Sequence, residues 1–249
     1  MNLQLLILMS GRDDAFRDAG YLYPKSLVEI GGMPLVQVVL DSLAELRRQS
    51  TRVICTIRRE EDRKHYTGAV IRLIEPSADV VLIDETAGAA CSALLAIEHI
   101  DRNAPLVIIN GDQILRADLP QMLHGFIQQD LDGGIVVFEA VHPRWSYVRC
   151  GADGLVVETA EKRPISNLAT AGIYYFKRAG DFLAATMSMI KKNAHVGNNY
   201  FVCPAYNEMI LNQARIGIAK VSKSAYVSLH NPEGVHAYQA DLADRRGGA

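Results

Sequence analysis

Three short segments place residue types that handle phosphate or metal directly after apolar runs. The first, from Ser10 to Ser26, carries Gly11, Arg12, Asp13, Asp14, Arg17 and Gly20 and closes on Pro24-Lys25. Backbone N–H groups and cations in such a loop can hold a triphosphate; a plain surface loop has a similar composition. The second is Thr86-Ala87-Gly88-Ala89-Ala90. Its small side chains let a flat base approach the backbone at Gly88, and close helix–sheet packing asks for the same residues. The third is Asn110-Gly111-Asp112, where Gly111 leaves room for the Asp112 carboxylate. A carboxylate there is placed to hold Mg²⁺, which takes one or two carboxylates together with phosphate oxygens. Capping a helix is the other use of such an aspartate.

The elements that must carry these segments follow from hydrophobic period. Leu3–Met9, Arg52–Ile57, Val80–Ile83, Pro105–Asn110 and Gly134–Phe138 read as strands. The continuous apolar run at Pro105–Asn110 suits burial on both faces of a parallel sheet. Pro34–Arg48 reads as a helix with Val36, Val39, Leu40, Leu43 and Leu46 on one face, as do Ala87–Ile100 and Leu119–Gln129. This βαβ rhythm predicts a doubly wound, mostly parallel, Rossmann-like α/β sheet with right-handed crossovers. Ligands bind such sheets beyond the carboxyl ends of the strands, where the three segments lie. After residue 140 the rhythm changes. Strands at Ser146–Arg149, Leu155–Thr159 and Ala171–Phe176, with a hairpin signal at Asp153-Gly154, predict a small β extension for substrate. Helices near Asp181–Lys192 and Pro204–Gln213 follow. The expected organisation is one domain over residues 1–243, with a nucleotide-binding half at 1–140 and a sugar-phosphate-binding half at 141–243. Residues 244–249 are expected to fray.

Composition excludes several classes. With 26 Lys and Arg against 28 Asp and Glu, the net charge is −2, which gives no drive toward nucleic acid or an anionic membrane. The mixed run from Arg58 to Lys64 reads as a solvated helix face. Cys55, Cys91, Cys150 and Cys203 are scattered without a CxxC pair, which fits a reducing compartment. The apolar start lacks a basic leader and is too short to span a bilayer, so a cytoplasmic protein is expected. His230 and His236 read as surface residues without zinc-ligand spacing.

Taken in order, the motifs resemble the sugar nucleotidyltransferase (nucleoside-diphosphate-sugar pyrophosphorylase) family. The stretch Pro24-Lys25-Ser26-Leu27-Val28-Glu29-Ile30-Gly31-Gly32-Met33-Pro34-Leu35 is similar to its Pro-Lys segment and glycine turn. Asn110-Gly111-Asp112 is similar to its Gly-Asp metal motif. Glu161-Lys162 followed by Ala171-Gly172-Ile173-Tyr174-Tyr175-Phe176 is similar to its sugar-phosphate segment, and Pro232-Glu233 to its late turn. A narrower resemblance, through Ala19-Gly20-Tyr21, Trp145-Ser146-Tyr147-Val148-Arg149 and Ile165-Ser166-Asn167, is to compact members linked to bacterial surface-polysaccharide clusters.

The resemblance implies a Mg²⁺-dependent reaction of a nucleoside triphosphate with a sugar 1-phosphate that gives a nucleoside diphosphate sugar. Lys25, Arg12 and Asp112 would be catalytic, with Asp112 holding the metal. Ser10, Gly11, Gly88, Asn110 and Gly111 would bind nucleotide. Glu161, Lys162 and Gly172 would bind the sugar phosphate, and Trp145 can stack on the sugar or anchor the core. The partners expected are these two substrates, with no nucleic acid and no membrane; an apolar C-terminal helix face can support a homodimer.

Two departures stand out. Asp13 and Ala15 occupy positions where the resemblance implies a glycine and an arginine, and Ser228 stands where it implies a second metal aspartate. Arg12 or Arg17 can replace the missing cation, and Asp13 or Asp14 the missing carboxylate. A homologue that binds but does not transfer is the alternative reading. A glycosyltransferase would show an Asp-x-Asp motif, and here Ile114 stands in its third position.

Overall fold

A computed structural model describes residues 3–247. The first half contributes β1 (Leu3–Leu8), α1 (Asp14–Asp18), β2 (Glu29–Ile30), β3 (Met33–Pro34), α2 (Leu35–Ser42), α3 (Ala44–Gln49), β4 (Ser50–Arg58), α4 (Arg59–His65), α5 (Thr67–Ile74) and β5 (Asp79–Ile83). Next come α6 (Ala89–Leu94), β6 (Leu106–Asn110), β7 (Gln113–Leu115), α7 (Leu119–Gln128) and β8 (Gly133–Glu139). The second half adds β9 (Ser146–Cys150), β10 (Val156–Glu161), β11 (Leu168–Phe176), α8 (Ala179–Lys191), α9 (Val202–Leu211), β12 (Ile216–Lys220), β13 (Tyr226–Ser228) and α10 (Pro232–Gly247).

The main sheet runs β5-β4-β1-β6-β11, and β11 then pairs with both β8 and β9. β12 extends the β8 branch and β10 the β9 branch. The register makes every strand of this sheet run one way except β10 and β11. The expected mostly parallel α/β sheet is therefore present, and strand β11 of the second half lies inside it, between β6 and β8. Alternate residues face opposite layers. Leu5 and Ile7 of β1 and Val107 and Ile109 of β6 join one core with α2, α3 and α7. Leu6, Leu106 and Ile108 join the other with α6, α8 and α9. Helices on both faces make the fold doubly wound.

Several expected elements differ. The Pro34–Arg48 helix is broken at Leu43. There the Leu40 carbonyl accepts from Arg47 Nε at 2.9 Å and the Val39 carbonyl from Ser42 Oγ at 2.7 Å, side-chain bonds that replace helix continuation. Ala87–Ile100 shortens to α6 and a 3-10 turn at Ile97–His99. α10 continues to Gly247, into the segment from Asp244 that is expected to fray; residues 248–249 lie outside the described residues. The apolar face of α10 is also covered: Val235, Tyr238 and Leu242 pack on the chain's own core. α4 has no buried residue, as its mixed charges imply. Among the described residues no helix is long and apolar enough to cross a membrane.

Candidate active site

β6 and β9 approach the same edge of β11 but at different stretches: β6 pairs with Ile173–Phe176, and β9 with Leu168 and Ala169. Between them β11 shifts register after Thr170. The two strands part there, and a cleft of about 990 Å³ opens at the carboxyl end of β6, within the size range of small-molecule sites. Ser10, Gly11, Arg12, Gly88, Asn110 and Asp112 line one wall of it, and Trp145, Glu161, Lys162 and Gly172 line it as well.

Gly172 sits in the left-handed region at φ +66, and a Cβ there would lie 2.5 Å from Asn110 Nδ2 and 2.6 Å from Gln113 Oε1. Only glycine accepts both the conformation and the approach. The same chain reversal brings Gln113, at the start of β7, against β11, where its Nε2 donates to the Ala171 carbonyl.

Lys25 lies on a 3-10 turn and is 7% exposed. Its Nζ meets Asp112 Oδ2 at 2.6 Å and packs on the bare backbone of Gly11, where a Cβ would be 3.6 Å away. Burial opposes ionisation of Asp112, but the Lys25 charge and hydrogen bond, with His230, outweigh it and hold the carboxyl below its ordinary range. Gly111 packs on Met9 and the Leu8 carbonyl, to which its N–H donates at 2.8 Å; packing thus accounts for this glycine, and it is not among the residues lining the cleft. Gly88, at φ +107, is pressed against Tyr200, whose carbonyl oxygen would lie 2.5 Å from any Cβ added at this glycine. Tyr200 N–H donates to Ala87 and its carbonyl accepts from Ala90, at 2.7 and 3.0 Å. Close packing therefore also accounts for the small residues of this segment.

The first loop resolves its acidic pair internally. Asp14 accepts from Arg12 Nε at 2.5 Å and from Arg17, and these hydrogen bonds lower its pKa. Asp13 Oδ1 stands 3.5 Å from Arg17. Neither aspartate lines the cleft. Arg12 does line it, with Glu85 at 3.5 Å. Arg58, which donates to the Ser10 carbonyl at 3.1 Å, adds a second cation on this wall.

On the far side Glu161 is 9% exposed and accepts from Ser146 Oγ. Burial raises its pKa, with Ser146 and Lys162 opposing. Lys162 follows in the left-handed region at φ +52, its N–H bonded to the Trp145 carbonyl at 3.0 Å. Its Nζ rests 5.3 Å from the Phe201 ring centroid. Trp145 lines the cleft and packs edge-on against Phe138 and Tyr226, at 5.3 and 5.2 Å, as a core anchor does. The guanidinium of Arg144 lies 4.5 Å from its ring centroid.

Sequence reasoning misses Ser146, although a signal for it is present. Ser146 and Glu161 each lie seven residues from the Asp153-Gly154 turn and pair across the hairpin. Gln113, Thr170 and Tyr174 carry no such signal; they meet only because β7 and β11 converge. His230 and His236 are exposed, as expected.

The donor set suits a metal that shares its shell with substrate. No group of three or more His, Cys, Asp or Glu residues able to hold an ion exists among the described residues. Ser228, paired with Gln113 across β13 and β7, faces the cleft beside Asp112. One carboxylate plus phosphate oxygens and water fits Mg²⁺ and does not fit a closed zinc centre.

Residues 5–214 match the family described as Nucleotidyl transferase. The chain is similar to UTP--glucose-1-phosphate uridylyltransferase AglF of Haloferax volcanii, 27% identical over 71% of this chain and 73% of that protein. It is also similar to the bifunctional protein GlmU of Methanocaldococcus jannaschii, 24% identical over 71% of this chain. That match spans 40% of the GlmU length. In fold it is similar to the crystal structure of the nucleoside-diphosphate-sugar pyrophosphorylase from Vibrio cholerae RC9, with a TM-score of 0.83 and 24% identity over 95% of this chain and 99% of that one.

Proposed function

The chain belongs to the nucleotidyl transferase family, and on that premise we propose that it joins a nucleoside triphosphate to a sugar 1-phosphate, releasing pyrophosphate. The observation that carries this reading is the convergence of the Lys25–Asp112 pair and the Glu161–Lys162 strand end on one cleft. A donor-handling and an acceptor-handling set thus face each other across Gly172.

In the reaction an acceptor phosphate oxygen forms a bond to the α-phosphorus as the bond to the bridging oxygen of pyrophosphate breaks in line. No protein nucleophile is needed, so the chain's task is positioning and charge neutralisation. Lys25 is buried and already ordered, and it brings a fixed positive charge to the phosphates. Arg12 and Arg58 line the nucleotide side and shield the triphosphate. Asp112 would hold Mg²⁺, which when bound neutralises phosphate charge. Glu161, acting as an acceptor, orients sugar hydroxyls, and Lys162 binds the acceptor phosphate as a point charge. Residues 1–243 act as one domain, with the acceptor half built onto the nucleotide half by β11. The segments around Gly20 and Trp145 support a role in surface-polysaccharide synthesis. Four free cysteines support a cytoplasmic setting.

Thermal shift with each of five nucleoside triphosphates, with and without Mg²⁺, tests the donor site. A ligand at ~100 times its Kd stabilises by roughly 2.7 kcal/mol, and one triphosphate is expected to raise Tm in a Mg²⁺-dependent way. Unchanged Tm with all five would refute the reading.

A further inference from the structure

Strand β10 ends in Glu161 but, among the described residues, pairs with a strand only on its β9 side. On its other edge the partner is a side chain. Asn207, in the middle of α9, accepts from the Thr159 N–H at 2.8 Å and donates from Nδ2 to the Thr159 carbonyl at 2.9 Å. One carboxamide thereby satisfies both backbone groups of a single edge residue, as a neighbouring strand would. Thr159 is 3% exposed, and its hydroxyl donates to the Cys203 carbonyl one turn earlier in α9, at 3.0 Å. Thr159 and Glu161 are two apart, so their side chains share a face. Residues at the start of the same helix reach the same cleft: Val202 lines it, and Phe201, just before, carries the Lys162 ammonium.

We propose that Asn207 is a positioning residue for the acceptor: by clamping Thr159 to α9 it sets the height and direction of the Glu161–Lys162 strand end. The proposal rests on the nucleotidyltransferase reading. Lys25 and Asp112 are held by each other, by Gly11 and by the end of β6, outside α9 and β10, while Gly88 packs on Tyr200, two residues before α9. The larger effect is therefore expected on the acceptor.

The test is steady-state kinetics with glucose 1-phosphate and the triphosphate that supports turnover, for the parent chain, Asn207→Leu and Thr159→Val. Leucine keeps the branching and the number of heavy atoms of Asn207 and removes both hydrogen bonds. It is expected to raise the KM for glucose 1-phosphate about tenfold, the scale on which ångström-level misplacement acts, with the triphosphate KM within about twofold. Thr159→Val removes only the hydroxyl bond and is expected to raise the same KM by a smaller factor. It carries the test if Asn207→Leu does not fold. The double variant is expected to fall short of the product of the two, because both act through one joint. A joint that only stabilises the fold would lower the active fraction and apparent kcat while leaving both KM values unchanged, and that result would overturn the proposal. So would equal rises in both KM values. A parent chain without turnover for glucose 1-phosphate with any triphosphate removes the family reading for this acceptor and the proposal together, a result distinct from an active parent with indifferent variants.

Discussion

The nucleotide side of the cleft and the acceptor side are held in place by different means. On the nucleotide side the backbone does the positioning: Gly88 abuts the Tyr200 carbonyl, Gly111 abuts Leu8, and Lys25 lies over Gly11. On the acceptor side half-buried side chains do it: Ser146 on Glu161, Asn207 on Thr159, Phe201 under Lys162. A backbone-built site has little slack, so its defects should be abrupt. A side-chain-built site can be retuned, which suits the half proposed to bind the acceptor.

The largest effect should come where the two sides meet. Lys25→Ala and Asp112→Ala each remove one member of this half-buried pair. Turnover is expected to fall by at least about 10²–10³-fold, the range seen when a single charge-stabilising group is lost, while circular dichroism keeps the native spectrum. Turnover near the parent level in both variants would remove the pair from the chemistry.

Gly88→Ala tests the rigidity of the nucleotide side. An alanine there must adopt φ +107 against the Tyr200 carbonyl, at a cost of order 1–3 kcal/mol. Tm should drop, and the triphosphate KM should rise more than the acceptor KM. An unchanged Tm would mean that this loop has more slack than its packing shows.

Glu161→Gln probes the softer side. Burial holds the Glu161 carboxyl above its ordinary range, which lies near ~4.3. A carboxyl raised in the folded state contributes stability fully below its unfolded value and loses it as pH climbs through the folded value. Glutamine is neutral throughout. The variant should therefore melt higher than the parent at neutral pH, with the gap closing toward about pH 4, and its acceptor KM should rise. A gap of one size at all pH values would contradict the assignment.

The smallest effect is expected in the altered first loop. Asp14 is held by Arg12 and Arg17 outside the cleft, and exposed pairs of this kind contribute little. Asp14→Ala should change the triphosphate KM by less than about threefold. A large fall in KM would show that the acidic loop impedes triphosphate binding.

Much of the site was legible because strand ends are. Asp112 and the loop after Leu8 follow apolar runs whose period fixes them at one edge of the sheet, and Glu161 ends a hairpin whose turn is written as Asp153-Gly154. What could not be read depends on encounters between distant segments. The Tyr200 carbonyl at Gly88 and the Asn207 clamp on Thr159 leave no periodic trace. The C-terminal helix was legible as an element but not in its role: Val235, Tyr238 and Leu242, the few inward residues of an otherwise polar α10, pack on the chain's own core. The break at Leu43 depends on Arg47 and Ser42 taking carbonyls that an apolar stripe alone would leave to the helix.

The most direct test of the central claim is pyrophosphate release, measured for each of five nucleoside triphosphates with a panel of sugar 1-phosphates that includes glucose 1-phosphate, in the presence of Mg²⁺. The geometry predicts release in one-to-one proportion with sugar phosphate consumed for at least one pair, and none from Asp112→Ala. Binding of a triphosphate without pyrophosphate from any pair would contradict transfer and leave a chain that holds its ligands without joining them.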